Sequence, residues 1–105
     1  MSDTSVTEKP RVVFVDDEVN ILAGLRRMLW PMRERWDMRF APGGAEALKE
    51  LAKEPADVIV SDMRMPGMNG TELLSAVRDK YPDTVRIILS GHSEGEEIVR
   101  AVGGG

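Results

Sequence analysis

Val58-Ile59-Val60-Ser61-Asp62 (VIVSD), with the loop Met63 to Asn69 behind it, decides how the rest of the chain is read. Three consecutive β-branched residues are too short a run for a helix face and suit a strand covered on both sides, as in a parallel sheet. The same pattern recurs upstream in Val12-Val13-Phe14-Val15, cut off by Asp16-Asp17, and downstream in Val85 to Leu89, cut off by Ser90-Gly91. Between these runs the spacing becomes helical. Ile21, Leu22, Leu25, Met28 and Leu29 make an apolar stripe opposite Arg26 and Arg27, and Pro31 stops that helix after Trp30. Leu73, Leu74 and Val77 mark another helix, begun by Asn69 and Glu72 at capping-box spacing. Ser93 and Glu96 repeat that spacing ahead of an expected helix bearing Ile98, Val99 and Val102. Trp36 to Phe40 alternates strictly, as a half-covered edge strand does, and Pro42-Gly43-Gly44 turns the chain into a helix over Ala45 to Lys53.

Strand and helix thus alternate four times, which predicts an α/β fold, a doubly wound parallel sheet with helices on both faces. Ligands in such folds collect beyond the carboxyl ends of the strands. Asp16, Asp17, Asp62 and Ser90 occupy those ends, so three carboxylates are expected to converge at one edge.

Composition narrows the chemistry. The 105 residues allow one domain with a substantial core. Residues 1–9 read as a flexible polar lead and residues 10–105 as the domain. There is no cysteine and one histidine, His92, which excludes disulfide frameworks, thiolate zinc sites and cysteine nucleophiles; any metal must sit on oxygen. Fourteen basic against eighteen acidic residues give a net charge of -4, which argues against a nucleic-acid partner. The one dense basic stretch, Arg26, Arg27, Arg33, Arg35 and Arg39, reads as a solvated face. No apolar run has the length of a membrane span and Met1 to Pro10 lacks a signal-peptide core, so the expected location is cytoplasmic, with no membrane partner.

Like carboxylates about 4 Å apart repel by about 4 kcal/mol per pair at an effective dielectric of about 20, unless a cation lies among them. An all-oxygen set favours Mg²⁺, which keeps several waters and leaves room for phosphoryl oxygens. Asp17, placed directly before a helix, has an alternative use as its cap.

VVFVDDE at Val12 to Glu18, VIVSDMRMPGMNG at Val58 to Gly70 and IILSG at Ile87 to Gly91 together resemble response-regulator receiver domains of two-component signalling. The resemblance implies a flavodoxin-like sheet of order 2-1-3-4-5 and a phosphoacceptor at Asp62, which takes its phosphoryl group from a histidine kinase or phosphotransfer protein. It implies Mg²⁺ held by Asp17 directly, Asp16 through water, Asp62, and the backbone carbonyl of Arg64. Ser90 becomes the switch hydroxyl that follows the phosphoryl group and passes the change to an output domain. Arg64 and His92, two residues beyond Asp62 and Ser90, flank the route of the hydrolytic water and are expected to modulate phosphoryl lifetime. Met63, Met65 and Met68 are expected to pack the loop, Pro66-Gly67 to shape its turn, and Gly70 to permit a close helix approach.

Two features depart from that family. The fifth strand with its lysine and the last helix are not found in these letters, and Lys49, Lys53 and Lys80 sit in or at the ends of helices. The expected sheet is therefore 2-1-3-4, a truncated receiver. Its Val85 to Leu89 edge would be bare and would favour homo-oligomers, or mark a cut from a longer protein. The tail Val85 to Val102 looks most like receivers that precede HD-type outputs (HDOD or HD-GYP). Two other functions compete: a phosphorylation-independent interaction or dimerisation module, and a Mg²⁺-dependent phosphohydrolase with an aspartate nucleophile. The second lacks an aspartate two residues after the nucleophile. No glycine-rich phosphate loop follows Val15, so a nucleotide cofactor is not expected and the chain reads as a non-enzyme.

Overall fold

A computed structural model describes residues 9–90 and 98–101. Their order is β1 (Arg11–Val15), α1 (Val19–Leu29), β2 (Asp37–Ala41), α2 (Gly44–Lys53), β3 (Val58–Asp62), α3 (Gly70–Lys80), β4 (Val85–Ser90) and β5 (Ile98–Ala101), with a 3₁₀ turn at Trp30–Met32 after α1. The sheet runs β2-β1-β3-β4-β5. Its first four strands are parallel, the expected 2-1-3-4 order, and β2 is the edge strand that its alternation foretold.

The far edge differs from expectation. Ile98–Ala101 forms a strand, antiparallel to β4 in the register Ile87↔Ala101 to Ser90↔Ile98, where the sequence pattern predicts a helix. Ile98-Val99 is β-branched and too short to nucleate a helix alone, whereas β4 offers an open ladder of donors and acceptors. The bare β4 edge anticipated above is consequently covered, and self-association loses the argument built on it. The capping box at Ser93 and Glu96, His92 and nearly all of the polar lead fall outside the described residues.

Side chains alternate across the sheet as strand geometry demands. Val13, Val15, Ile59 and Ile88 point into a core closed by α2 and α3 through Ala47, Leu51, Leu73, Leu74 and Val77. Val12 and Phe14 point the other way, onto Leu22 of α1, with Leu25, Leu29, Phe40, Val58 and Val60 partly buried around them. Phe14 and Phe40 stack there at 5.2 Å between ring centroids. Leu51, Ile59 and Leu73 are at most 1% exposed, so truncating any of them to alanine is expected to cost about 2 to 5 kcal/mol.

At the amino ends of the strands, Arg11 bridges Asp37 (2.9 Å) and Glu54. Its own N–H donates to Asp57 Oδ2 at 2.8 Å. The buried Thr84 hydroxyl donates to the Ala56 carbonyl at 2.7 Å, tying the entry to β4 onto the entry to β3. These contacts fix the strand starts and leave the opposite ends to carry the acidic groups.

Candidate functional site

Period-two geometry aims two of the carboxylates. Asp62 continues the parity of Val58 and Val60 on β3, and Asp16 that of Val12 and Phe14 on β1, so both leave the sheet on the side that α1 covers. Asp16 extends the β1 ladder by one bond, its N–H donating to the Ala41 carbonyl at 3.2 Å. The result is a cluster: one oxygen each of Asp16, Asp17 and Asp62 lie within 4.8 Å of one another. They open into a cleft of about 510 Å³, shared with Glu18, Ile21, Arg64 and Leu89.

The site perturbs Asp16. Partial burial and, more weakly, the neighbouring Asp17 charge push its carboxyl above the ordinary value of 3.8. The Glu18 N–H, donated to Asp16 Oδ1 at 2.9 Å, pulls the other way. Asp17 does not cap α1. The N-cap position falls on Glu18, whose side chain makes no capping bond, and exposed Asp17 is left to the cluster.

The loop after Asp62 is held by local chemistry. Asn69 Oδ1 accepts from the Glu72 N–H at 2.8 Å, and Glu72 Oε1 accepts from the Asn69 N–H at 3.0 Å, completing the expected capping box. Gly67 has φ +80°, a left-handed backbone that suits the second corner of a Pro-Gly turn. Gly70 is pinned against the end of β3: a Cβ there would run into the Asp62 carbonyl oxygen and come within 2.9 Å of Met63 Cα. Its N–H donates to the Met63 carbonyl at 3.0 Å. Met65 is buried in the core and Met68 packs on Gly44 at the start of α2, as loop-packing residues should, while Met63 is 39% exposed.

The structure thus brings Asp16, Asp17, Asp62 and Arg64 to one cleft. Ser90 ends β4 with its backbone paired to Ile98, and His92 lies outside the described residues. Sequence reading missed Ile21 and Leu89, the apolar walls. Leu89 is the register partner of Asp62, a relation between strands that no local pattern reveals, whereas Ile21 was visible as a stripe residue whose neighbours were unknown.

Four parallel strands with this acidic cleft at their carboxyl ends are the frame on which the comparisons place a family. The chain belongs to the response regulator receiver domains, whose family model matches residues 12–105. It is 38% identical over 102 residues to the hydrogenase transcriptional regulatory protein HoxA of Cupriavidus necator, covering 97% of this chain and 20% of that protein. It is 36% identical over 94 residues to the DNA-binding transcriptional regulator NtrC of Proteus hauseri, covering 90% of this chain and 20% of that one. The chain therefore spans about a fifth of the length of these two relatives. Among solved structures, the signal receiver domain of an HD domain-containing protein from Pseudomonas fluorescens Pf-5 superposes with a TM-score of 0.76 at 32% identity, over 83% of this chain and 68% of that one. No described helix is long and apolar enough to cross a membrane.

Proposed function

We propose that Asp62 accepts a phosphoryl group from a phosphohistidine on a partner kinase or phosphotransfer protein, and that the modified chain then switches an output domain. The observation that carries this reading is the meeting of Asp16, Asp17 and Asp62 from two strand ends within 4.8 Å. The donor set fits Mg²⁺. An octahedral ion at about 2.1 Å places its oxygens about 3.0 to 4.2 Å apart, so small side-chain adjustments suffice, and carboxylates with the Arg64 carbonyl are hard oxygen ligands. When bound, the ion supplies positive charge to the phosphoryl oxygens and offsets the repulsion among the three carboxylates.

The chain's own groups divide the remaining work. An Asp62 oxygen forms the new O–P bond while the P–N bond to the kinase histidine breaks, giving an acyl phosphate. Ile21 and Leu89 supply the apolar walls of the cleft. The phosphoryl group brings three strong acceptor oxygens beside the end of β4, where the Ser90 hydroxyl is the proposed donor that answers them. Movement there shifts a pre-existing two-state equilibrium toward the form the output recognises. Arg64 and His92 set the lifetime of the acyl phosphate by controlling the approach of water. In this reading the chain is a cytoplasmic, non-enzymatic switch that works inside a longer regulator, with an output of the transcriptional or HD kind.

Intact mass after incubation with acetyl phosphate and Mg²⁺ tests the proposal. One phosphoryl group is expected on the native chain, none without Mg²⁺ and none on Asp62→Asn. Labelling that survives Asp62→Asn overturns the assignment. Mass is the better readout because Trp30 and Trp36 line a groove with Arg11 and Asp57, at the starts of the strands whose other ends carry the carboxylates.

A further inference from the structure

Five of the fourteen basic residues fall between positions 26 and 39, accompanied there only by the carboxylates of Glu34 and Asp37. Asp37 is already engaged by Arg11 at 2.9 Å and Arg39 at 3.1 Å. Among the described residues, Arg26 and Arg27 have no carboxylate within salt-bridge distance. Two of these arginines rest on aromatic faces instead: Arg26 lies 5.0 Å from the centre of the Phe40 ring, and Arg33 lies 4.4 Å from that of Trp30. Stacking of this kind fixes the guanidinium plane, and Arg33 is held further by donating Nη1–H to the Trp30 carbonyl at 2.9 Å.

Between α1 and the open edge strand β2, Arg26 and Arg27 border a groove of about 640 Å³, lined also by Leu22, Ala23, Trp30 and Phe40. Trp30 is 53% exposed at its rim. The groove shares no residue with the carboxylate cleft, which lies on the other flank of α1 beyond Ile21.

We propose that this groove docks an acidic protein segment, its carboxylates meeting Arg26 and Arg27 while one apolar side chain seats between Ala23, Trp30 and Phe40. Charge complementarity selects the occupant. Exposed guanidinium groups without a carboxylate partner attract a local cluster of carboxylates, whereas a long polyanion such as nucleic acid would have to approach a chain whose net charge is -4. The floor selects further, because an aromatic and aliphatic pocket gains nothing from a phosphate but buries a leucine or phenylalanine.

Amide and indole NMR shifts of the full chain, titrated with a short soluble peptide in which a central leucine is flanked by glutamates, test this. Shifts are expected at Ala23, Arg26, Arg27 and the Trp30 indole, with affinity falling as salt rises. Affinity should drop about tenfold or more when glutamine replaces glutamate in the peptide, and likewise in Arg27→Glu. Arg27 is exposed and outside the core, so the variant's spectrum away from the groove should be unchanged; Arg27→Gln, with no added negative charge, should give an intermediate loss. Absence of shifts at the groove, equal binding of the glutamine peptide, or tighter binding of a thymidine oligonucleotide of matched charge overturns the proposal.

Discussion

Replacing Gly70 with alanine tests how the fold positions Asp62. Alanine is the better helix former, and in the interior of a helix the exchange would add about 1 kcal/mol. At position 70 the new methyl has nowhere to go. Its neighbours are the Asp62 carbonyl, Met63 Cα at 2.9 Å and the Asp62 carbonyl carbon at 3.1 Å, all backbone and none able to rotate aside. Relief requires α3 to back away from β3, which stretches the 3.0 Å bond from the Gly70 N–H to the Met63 carbonyl. Overpacking of this kind costs about 1 to 3 kcal/mol. Taking about 2, and about 4 to 8 °C per kcal/mol for a domain of this size, the melting midpoint should fall by roughly 8 to 16 °C. Gly24, inside α1, is the matched control: a Cβ there meets nothing within 4 Å, so Gly24→Ala should raise the midpoint by a few degrees. Thermal unfolding followed by circular dichroism reads both. The two glycines should move stability in opposite directions. A Gly70→Ala protein as stable as the native one would refute the packing argument. It would also remove the reason for thinking that the helix approach sets the position of the Asp62 loop.

Asn69→Ala removes one half of the capping box and should cost about 1 kcal/mol in urea unfolding, with Asn69→Asp retaining most of the stability. Gly67→Ala forces a Cβ into the left-handed region at φ +80° and should cost about 1 to 2 kcal/mol by the same measurement. Because the Asp16 carboxyl is raised above 3.8, chiefly by burial, the folded protein holds its proton more tightly than the unfolded chain. Without metal, that contribution is intact below about pH 4 and is lost as pH rises through the raised value. Asp16→Asn, which keeps an oxygen for the Glu18 N–H, should then melt higher than the native chain at pH 7 in EDTA and equally at pH 3; equal midpoints at both would contradict it. Mg²⁺ should reverse the order at pH 7 by stabilising only the native cluster, measured as a midpoint that rises with metal concentration.

The residues differ in how openly they announced their places. The runs at Val12 and Val58 were readable because a central parallel strand is apolar on both faces, and Asn69 with Glu72 because a capping box is a purely local bond pattern. The convergence of Asp16, Asp17 and Asp62 followed from topology, since parallel strands end on the same side. Ile98 and Val99 were misread because a short apolar pair fits either period, and the deciding partner is the edge of β4, remote in sequence. Asp17 was open to two uses for a related reason: its position before α1 permits capping, and only the final backbone angle hands the N-cap to Glu18. The Leu89 wall and the pairing of Arg11 with Asp37 depend on strand register, which local spacing does not encode.

Asp16 hangs from β1 and Asp62 from β3, two strands that are each hydrogen-bonded to neighbours on both sides. The backbone behind these two acids therefore has little freedom to spread when they repel or to widen for a larger guest. A frame that stiff would discriminate by ionic radius in the proposed metal site. Calcium, which prefers longer bonds and more ligands, would be disfavoured by a bite that resists opening, and the smaller ion would enter without first having to organise its own cage.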